Sequence, residues 1–304
     1  MKSTASPVGV IGLGIMGSAM SANLVKAGFT IIGYDTVASR QTALGRAGGR
    51  PARSAMDVGK RAPIVITSLP SADALAAVSA QLAQAGRRGQ IVVETSTLPL
   101  EVKETARKLL AVRGITLLDC PLSGTGAQAR TKDLVVFASG EASAYRKCIP
   151  VFEGIARKHF HIGAFGDGSK MKFIANLLVA IHNVAAAEAM VLGMKAGLDP
   201  AQVLKVVTSG AGTSRMLEVR GPMMVKGDYS EATMKVEVWQ KDMRIIGEYA
   251  RSIDCPTPLF LASAPFYTAA MAMGRGSEDT GAVCAVLEEM ARVRRKRAKR
   301  RAKA

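Results

Sequence analysis

An α/β fold followed by an all-α region is predicted for this chain of 304 residues. Over residues 1–163, short apolar runs alternate with segments of helical composition, which indicates a parallel sheet covered by helices. Beyond residue 163 the strand-like runs stop and only helix-like segments follow. The sequence therefore predicts a first domain over 1–163, an all-α domain over 164–291 and a basic tail over 292–304.

Glycines, prolines and changes of hydrophobic period mark the ends of the predicted elements. Strands are predicted at 7–12, 29–34, 64–68, 90–94, 115–119, 134–138 and 158–162. Helices are predicted at 18–27, 38–46, 54–60, 72–85, 101–112, 142–152, 200–208, 238–252, 258–273 and 280–292. A parallel sheet binds its ligand at the carboxyl ends of its strands, so a site is expected in the loops there.

One long and mostly buried helix is predicted over 166–196, where Ala, Leu, Met and Val dominate. Lys172, Asn176 and Asn183 are spaced at i, i+4 and i+11, so they share one face of this helix. Because buried helices seldom carry charge, that face is expected to meet a functional surface. Asn183 lies some 16 Å along the axis from Lys172 and is expected to make an interdomain or subunit contact.

The chain is strongly basic, with a net charge of +17 and 48% hydrophobic residues. Nine of the positive charges lie in 292–304, which leaves +8 for the rest of the chain. A run of like charges without an apolar face is expected to be disordered or a frayed helix end. We interpret it as a solvated tail in preference to a nucleic-acid contact, and the basic body as attracting an anionic substrate or a dinucleotide.

The cysteines and the apolar runs indicate a cytoplasmic protein. Cys120, Cys148, Cys255 and Cys284 are widely spaced and lack His partners at metal-site spacing, so reduced core thiols and no metal site are predicted. The apolar runs are interrupted short of the roughly 20 residues of a membrane span, and no signal-peptide cleavage region precedes the first strand.

A glycine-rich turn follows the first predicted strand and opens the first helix. Gly12 permits the tight turn, Gly14 allows backbone N–H groups to approach a pyrophosphate, and Gly17 allows close packing of helix on strand. Ile15 and Met16 lie between Gly14 and Gly17 in this turn and are expected to line the same site. The strand, turn and helix together predict a dinucleotide-binding site.

The second predicted strand ends in an acid, Asp35, eighteen residues beyond Gly17. A carboxylate there accepts hydrogen bonds from the adenosine ribose and repels a 2′-phosphate, which favours NAD. Arg40 is close enough in the sequence to accommodate that phosphate, so NADP stays open.

Three further loops are expected to line the same crevice, because each follows a strand of the predicted parallel sheet. Leu69 and Pro70 follow one strand, and Ser96 and Thr97 follow the next. The loop over 119–126 contains a serine between Leu and Gly, and such a loop suits backbone and hydroxyl donors aimed at a carboxylate or carbonyl oxygen.

Taken together, these motifs resemble the β-hydroxyacid dehydrogenase family, which includes 3-hydroxyisobutyrate dehydrogenase and tartronate semialdehyde reductase. The resemblance covers the chain except the tail, and the motifs occur in the family's order. They are the glycine turn continuing to Leu24, Leu69-Pro70, Glu94-Thr95-Ser96-Thr97, Pro121-Leu122-Ser123-Gly124, Gly166-x-Gly168-x-x-x-Lys172-x-x-x-Asn176 and Lys241-Asp242.

The resemblance implies an N-terminal Rossmann domain joined by the long helix to an all-α domain, and a homodimer or homotetramer. It implies that Lys172 is the catalytic lysine and that Asn176 orients the substrate. It also implies that Ser123 and Gly124 hold the substrate carboxylate. The implied cofactor contacts are the backbone of Leu69 and Pro70, then Ser96, Thr97 and Lys241.

The implied reaction interconverts a small 3-hydroxyacid and its semialdehyde or ketoacid by hydride transfer to NAD(P), with Lys172 as general acid and base. Lys170 points away from the Lys172 face of the helix. Where relatives usually have a second glycine this chain has Thr125, which is expected to reshape the substrate pocket. The sequence does not distinguish among hydroxyisobutyrate, tartronate, hydroxybutyrate and threonate-like acids as the substrate.

Two alternatives use the same fold. One is an imine reductase-like enzyme, and the other is a dehydrogenase-fold scaffold whose basic tail binds nucleic acid. The resemblance implies that such relatives replace the catalytic lysine, whereas this chain keeps Lys172. An active enzyme on alcohols and aldehydes is therefore favoured.

Overall fold

The computed structural model describes residues 6–295 and contains two compact units. The first unit extends to Ala175 and the second begins at Asn176, so the division falls within the long helix. The domain boundary expected near residue 163 precedes this helix and stays a prediction.

Six parallel strands form the main sheet of the first unit. They are β1 (Val8–Ile11), β2 (Ile31–Tyr34), β3 (Arg50–Pro51), β4 (Ile64–Thr67), β5 (Ile91–Glu94) and β6 (Thr116–Asp119). Their order is β3-β2-β1-β4-β5-β6, so the order reverses between β1 and β4. Such a reversal opens a crevice at the carboxyl ends of the two strands.

Helices cover both faces of this sheet, as expected when parallel strands are buried on both sides. They are α1 (Ile15–Lys26), α2 (Ala38–Arg46), α3 (Ala55–Arg61), α4 (Ala72–Ala85), α5 (Leu100–Ala111), α6 (Gly126–Arg130) and α7 (Ala142–Ile155). Side chains of a strand alternate between the faces, so Val10 and Val93 belong to one core cluster and Val65 and Val92 to another. The continuous apolar runs of the sequence thus supply two cores.

A second, three-stranded sheet contains β7 (Leu122–Ser123), β8 (Val135–Ala138) and β9 (Lys158–His161). β7 pairs antiparallel and β9 parallel with β8. The backbones of Asp119 and Ser139 exchange hydrogen bonds of 3.0 and 2.8 Å, which join the end of β6 to the end of β8. The last two predicted strands are therefore confirmed, but they form a separate sheet.

The long helix α8 spans Asp167–Lys195 and continues from the first unit into the second. The second unit further contains α9 (Pro200–Val207), α10 (Arg215–Lys226), α11 (Val236–Ser252), α12 (Pro258–Ala272), a 3₁₀ turn (Thr280–Ala282) and α13 (Val283–Met290). Its core includes Trp239, which is 1% exposed, as expected from the sequence.

Helix α10 was not predicted, because Gly221 and Pro222 stand in its middle and both disfavour a helix interior. Tertiary packing overrides this preference, since Gly221 lies against Leu204 of α9. Ser214 caps the helix by accepting from the Leu217 amide at 3.1 Å, and Gly227 ends it in the left-handed conformation.

Helix α8 is long and apolar enough to cross a membrane, with a mean hydropathy of 1.7. Core helices of folded proteins have the same composition, and Lys172, Asn176 and Asn183 are all buried. Asn183 Nδ2 lies 3.2 Å from Tyr267 Oη and 3.5 Å from Thr280 Oγ1, both in the second unit. Asn183 is 0% exposed and its Nδ2 donates within its own unit, so the interdomain or subunit contact expected for it is wrong.

Three of the four cysteines are buried, namely Cys120, Cys148 and Cys284, and all four are free thiols. Burial raises the pKa of the Cys148 and Cys284 thiols to about 12, so both stay protonated at neutral pH. The core position expected for Cys255 is wrong, because this residue lies exposed in the turn after α11. Within residues 6–295 no group of three or more His, Cys, Asp or Glu side chains is placed to hold a metal ion.

The basic tail predicted over 292–304 lies outside the described residues from 296 onward. Its first residues are described, and Arg295 is packed against the end of α10. The Arg295 guanidinium donates to the carbonyl oxygens of Val225, at 2.8 Å, and Met224, at 2.5 Å, and forms an ion pair with Glu288. The segment up to Arg295 is therefore part of the folded second unit.

Candidate functional site

The glycine turn between β1 and α1 packs too closely against its surroundings for two of its glycines to carry a side chain. Gly12 has φ +89°, and a Cβ there would collide with the Ser68 carbonyl at the end of β4. A Cβ on Gly17 would collide with the Gly12 carbonyl. These contacts confirm the predicted tight turn and the close packing of helix on strand.

Gly14 differs from its neighbours, because a Cβ built on it would meet no atom within 4 Å. It is the N-cap of α1, and among residues 6–295 no side chain caps this helix. The first N–H groups of α1 and the positive end of its dipole therefore have no capping side chain within the described residues. This cradle fits the pyrophosphate of a dinucleotide.

Asp35 is buried beside the glycine turn and accepts a hydrogen bond from its backbone. One carboxylate oxygen accepts from the Leu13 amide at 2.7 Å and the other accepts from the Val37 amide at 2.8 Å. The Arg40 guanidinium lies 3.3 Å from the same carboxylate and is half exposed. An acid and an arginine thus stand together where the sequence predicts the adenosine ribose.

The structure brings the crevice loops of the first unit together. Leu69 N donates to Ser96 Oγ at 2.8 Å, which joins the loops after β4 and β5. Gly126 packs against the Ile15 side chain, which places the loop after β7 beside the glycine turn. Met16, Pro70 and Thr97 follow or precede these residues directly in the chain. Their contacts to cofactor stay predictions.

The loop expected to hold the substrate carboxylate is built around a short helix that was not predicted. Ser123 ends β7, and Gly124 has φ +133°, a conformation that favours glycine. Thr125 caps α6, because its hydroxyl accepts from the Gln128 amide and its own amide donates to Gln128 Oε1 at 3.0 Å. The T-x-x-Q capping box was the sequence signal for α6, and it engages the hydroxyl of Thr125, the residue expected to reshape the substrate pocket.

The first turn of α8 is anchored by residues from both sheets. Gly168 N donates to Ser139 Oγ at 2.9 Å, and Ser169 N donates to Asp119 Oδ2 at 2.8 Å. The Ser169 hydroxyl donates to the other oxygen of Asp119 at 2.8 Å. A Cβ on Gly168 would lie 2.7 Å from the Asp119 carbonyl oxygen and closer still to the Phe137 carbonyl oxygen. Glycine therefore lets the helix start approach the two sheets.

Lys172 lies one turn beyond this anchor, on the Ser169 face of α8, and is 8% exposed. Lys170, two residues earlier, has a half-exposed side chain paired with Asp167 at 2.9 Å. Only the lysine of the predicted motif is therefore buried, as expected from the helical spacing.

The second unit holds two predicted site residues and one that was not predicted. Asn176 Nδ2 donates to Asp242 Oδ2 at 2.9 Å, and both side chains are buried. The other oxygen of Asp242 lies 3.3 Å from Lys241 Nζ. The sequence signal for Asp242 was its place beside Lys241 on the strongly amphipathic α11, and the structure makes it the acceptor that orients the Asn176 amide.

A buried lysine that the sequence did not single out connects the ends of β5 and β6. Lys103 Nζ lies 2.7 Å from Glu94 Oε2 and 2.7 Å from Asp119 Oδ1, and all three side chains are fully buried. Burial alone would lower the pKa of Lys103, but the charges of Asp119 and Glu94 outweigh it and raise that pKa. The lysine therefore stays charged between two carboxylates.

Two family models match nearly the whole described chain. Residues 7–163 match the NAD binding domain of 6-phosphogluconate dehydrogenase, and residues 166–287 match the NAD-binding domain of NADP-dependent 3-hydroxyisobutyrate dehydrogenase. The fold and the glycine cradle define a nicotinamide-dependent oxidoreductase.

Curated relatives and solved structures agree with this class. L-threonate dehydrogenase of Cupriavidus necator is 36% identical over 91% of this chain and 94% of its own length. The crystal structure of 3-hydroxyisobutyrate dehydrogenase from Salmonella typhimurium superposes with a TM-score of 0.84 at 29% identity, covering 93% of this chain and 100% of that one. The enzyme of the same name from Mycobacterium tuberculosis, determined with L-serine, gives 0.85 at 28% identity, covering 93% and 99%. The chain belongs to the β-hydroxyacid dehydrogenase family and takes NAD(P) as its cofactor.

Proposed function

We propose that this protein is an NAD(P)-dependent dehydrogenase that oxidises the hydroxyl of a short 3-hydroxyacid, with Lys172 as general base, and that it catalyses the reverse reduction. The observation that carries this proposal is the burial of Lys172 one turn beyond a helix start that is anchored to the cofactor-binding unit. Burying a lysine is costly, and the family motif over 166–176 gives Lys172 the position of the catalytic lysine.

The domain over 1–163 is assigned most cofactor contacts and the loop that holds the substrate carboxylate, and the domain over 164–291 is assigned Lys172, Asn176 and the subunit contacts. The open cradle at Gly14 supports pyrophosphate binding there. Asp35 supports a preference for NAD, because its carboxylate repels a 2′-phosphate. The remaining proposed cofactor contacts are Gly12, Ile15, Met16, Gly17, Leu69, Pro70, Ser96, Thr97 and Lys241.

The chemistry divides between cofactor and side chains. When bound, NAD(P)⁺ would supply the acceptor for the hydride that leaves the carbon carrying the hydroxyl. The hydroxyl proton passes to the amine of Lys172 as the carbonyl forms, and the resulting ammonium returns a proton in the reverse direction. Asn176, held by Asp242, orients the substrate, while Ser123 and the Gly124 amide hold its carboxylate.

The proposed substrate class is a short, anionic and hydroxylated acid. Relatives named for L-threonate and 3-hydroxyisobutyrate support a small carboxylic acid with a hydroxyl close to the carboxyl group. The M. tuberculosis relative was determined with L-serine, which has the same two groups. The positive charge of the body also favours an anion. We therefore place threonate-like acids first in the panel of substrates.

The test is turnover of a panel of short hydroxyacids and semialdehydes with NAD and NADP. Lys172→Ala should lower kcat by roughly 10²- to 10⁴-fold on the best substrate, as expected for loss of a general base. Lys170→Ala is the matched control, because it removes an exposed lysine two residues away, and it should keep the activity. Wild-type turnover by Lys172→Ala would refute the assigned mechanism.

We further propose that two copies associate through α8. Ile174, Leu178 and Leu192 are 58%, 47% and 72% exposed and share one face of this helix. Light scattering should find a dimer or tetramer, and Leu192→Glu should weaken it. Val112→Glu, which alters an exposed apolar residue outside the stripe, should not. A monomeric wild type would contradict the proposal.

A cytoplasmic location is also proposed, because free thiols that include the exposed Cys255 persist best in a reducing compartment. Cell fractionation should recover the dehydrogenase activity with the cytosol. Recovery with the membrane fraction would contradict the assignment.

A further inference from the structure

Two carboxylates stand side by side in the interior of the first unit. Glu94 and Asp119 are register partners at the ends of the neighbouring strands β5 and β6, and both are fully buried. Lys103 reaches from α5 and lies 2.7 Å from each of them. Without this ammonium, two negative charges would repel each other in a medium that screens them poorly.

One end of this trio holds the start of α8. Each oxygen of Asp119 accepts a hydrogen bond from Ser169, one from its amide and one from its hydroxyl. Asp119 Oδ2 also lies 3.3 Å from Ser139 Oγ, which accepts from the Gly168 amide. Ser139 just after β8 and Asp119 at the end of β6 thus accept from the second and third amides of α8, while the carbonyl oxygens of Ala164 and Gly166 in the preceding loop accept from the amides of Asp167 and Lys170.

The other end of the trio reaches the cofactor loops. Glu94 Oε1 accepts from the Ser96 amide at 2.9 Å, and Ser96 Oγ accepts from the Leu69 amide at 2.8 Å. A continuous chain of hydrogen bonds and ion pairs thus runs from Leu69 to Ser169. All of its members belong to the first unit.

The charges explain why this chain holds α8 firmly. One ammonium between two carboxylates leaves a net negative charge, which the N–H groups and the positive dipole end of α8 offset. The helix start is thus drawn to Asp119 by charge as well as by hydrogen bonds. Because Ser169 and Lys172 are three residues apart on one face, fixing Ser169 fixes the direction from which Lys172 extends.

We propose that Lys103, Glu94 and Asp119 are positioning residues for the dehydrogenase reaction. They set the position along the helix axis and the rotation of the first turn of α8 relative to the cofactor loops at Leu69 and Ser96. The position of Lys172 follows from that turn. This inference rests on the proposed function, in which Lys172 is the general base that accepts the proton of the substrate hydroxyl.

The experiment compares two network variants with a matched control. Asp119→Asn keeps the shape of the side chain and removes its charge, and Ser169→Ala removes one hydrogen bond while the backbone bond remains. Gln90→Leu is the control, because Gln90 is equally buried at the opposite end of β5 and bonds Gly59 O at 2.8 Å and Ala62 O at 2.6 Å.

Both network variants should lower kcat, Asp119→Asn by about 10- to 100-fold, because a misplacement of about 1 Å costs that much. The pH profile of kcat should shift, and the isotope effect with deuterated NAD(P)H should rise as hydride transfer becomes slower. The KM for the cofactor should change less than kcat. Gln90→Leu should lower the melting temperature but keep kcat, pH profile and isotope effect.

A second measurement does not depend on turnover. Lysines are reductively methylated with ¹³C-formaldehyde, and the resonance that Lys172→Ala lacks is followed against pH. Its apparent pKa should move by about half a pH unit or more in Asp119→Asn and stay in place in Gln90→Leu. This readout separates the two proposals, because it holds even if no hydroxyacid on the panel is a substrate.

Three results would overturn the inference. One is a folded Asp119→Asn with wild-type kcat, pH profile and isotope effect. Another is a Lys172 resonance that titrates as in the wild type. If Asp119→Asn does not fold, Ser169→Ala decides, and wild-type kinetics together with an unmoved Lys172 resonance in that variant would overturn it as well.

Discussion

Replacing Gly168 by alanine should displace the start of α8. The new Cβ would lie 2.7 Å from the Asp119 carbonyl oxygen, and the Phe137 carbonyl oxygen would be closer still. Carbon and oxygen atoms need about 3.4 Å, so the helix start must retreat by roughly 1 Å from backbone atoms that cannot rotate away. That retreat stretches the bonds from Gly168 and Ser169 to Ser139 and Asp119.

We expect Gly168→Ala to lower kcat by on the order of 10²-fold, because Lys172 moves with the helix turn that carries it. The free energy of unfolding should fall by about 1–3 kcal/mol through overpacking. Steady-state kinetics on the best hydroxyacid and urea unfolding followed by circular dichroism measure the two effects.

Gly193→Ala is the matched control, since it adds a methyl group to the same helix about seven turns away. There the nearest atom is a side-chain methyl carbon of Val203, at 2.8 Å, and no backbone atom is among the nearest three. This variant should lose stability and keep kcat. If Gly168→Ala kept the wild-type kcat, the link between the helix start and the position of Lys172 would be refuted.

Three further predictions concern charge. Burial alone would raise the pKa of Asp279. The charge of the Arg220 guanidinium, 2.8 Å away, and hydrogen bonds outweigh burial and lower that pKa. The pair therefore stabilises the fold above pH about 4, and this stabilisation is lost as the pH falls through the lowered pKa of Asp279. Asp279→Asn should therefore cost about 3–5 kcal/mol at pH 7 in urea unfolding, and a gap to wild type that does not narrow below pH 4 would contradict this. Asp35→Asn should shift the NAD to NADP ratio of kcat/KM toward NADP by about tenfold or more, because Arg40 is released for the 2′-phosphate, and adding Arg40→Gln should reverse part of the gain. Truncation after Arg295, which keeps its bonds to the second unit, should leave DNA binding unchanged at every salt concentration, whereas a loss that is greatest at low salt would assign the tail to nucleic acid.

Local signals were enough for most of the fold. The spans predicted for α2 and α4 agree with the structure, since α4 is bounded by the Ser71 cap and Gly86 and α2 is followed by the pair Ala47-Gly48. Helices α6 and α10 were not predicted, because α6 is only five residues long and α10 contains a Gly-Pro pair. In both cases tertiary packing and capping outweigh propensity.

The candidate site was predictable where a motif has a local mechanism. The glycine turn and the lysine on α8 follow from chain geometry that the sequence displays. The trio of Lys103, Glu94 and Asp119 was not predictable, because a lysine on an amphipathic helix has the same local pattern whether it meets solvent or two buried acids. Asp242 was not predicted as a site residue, because its partner Asn176 is 66 residues away in the chain.

The anchoring of α8 also bears on when the chain can assemble its site. Ser169 bonds a residue 50 positions earlier, and Gly168 bonds one 29 positions earlier. These contacts have high sequence separation, so we expect the first turn of α8 to become ordered only after the backbones of Asp119 and Ser139 have joined. Every partner precedes α8 in the chain, however. During synthesis the amino-terminal unit can therefore seat the turn before Lys172 while the ribosome is still adding the second unit.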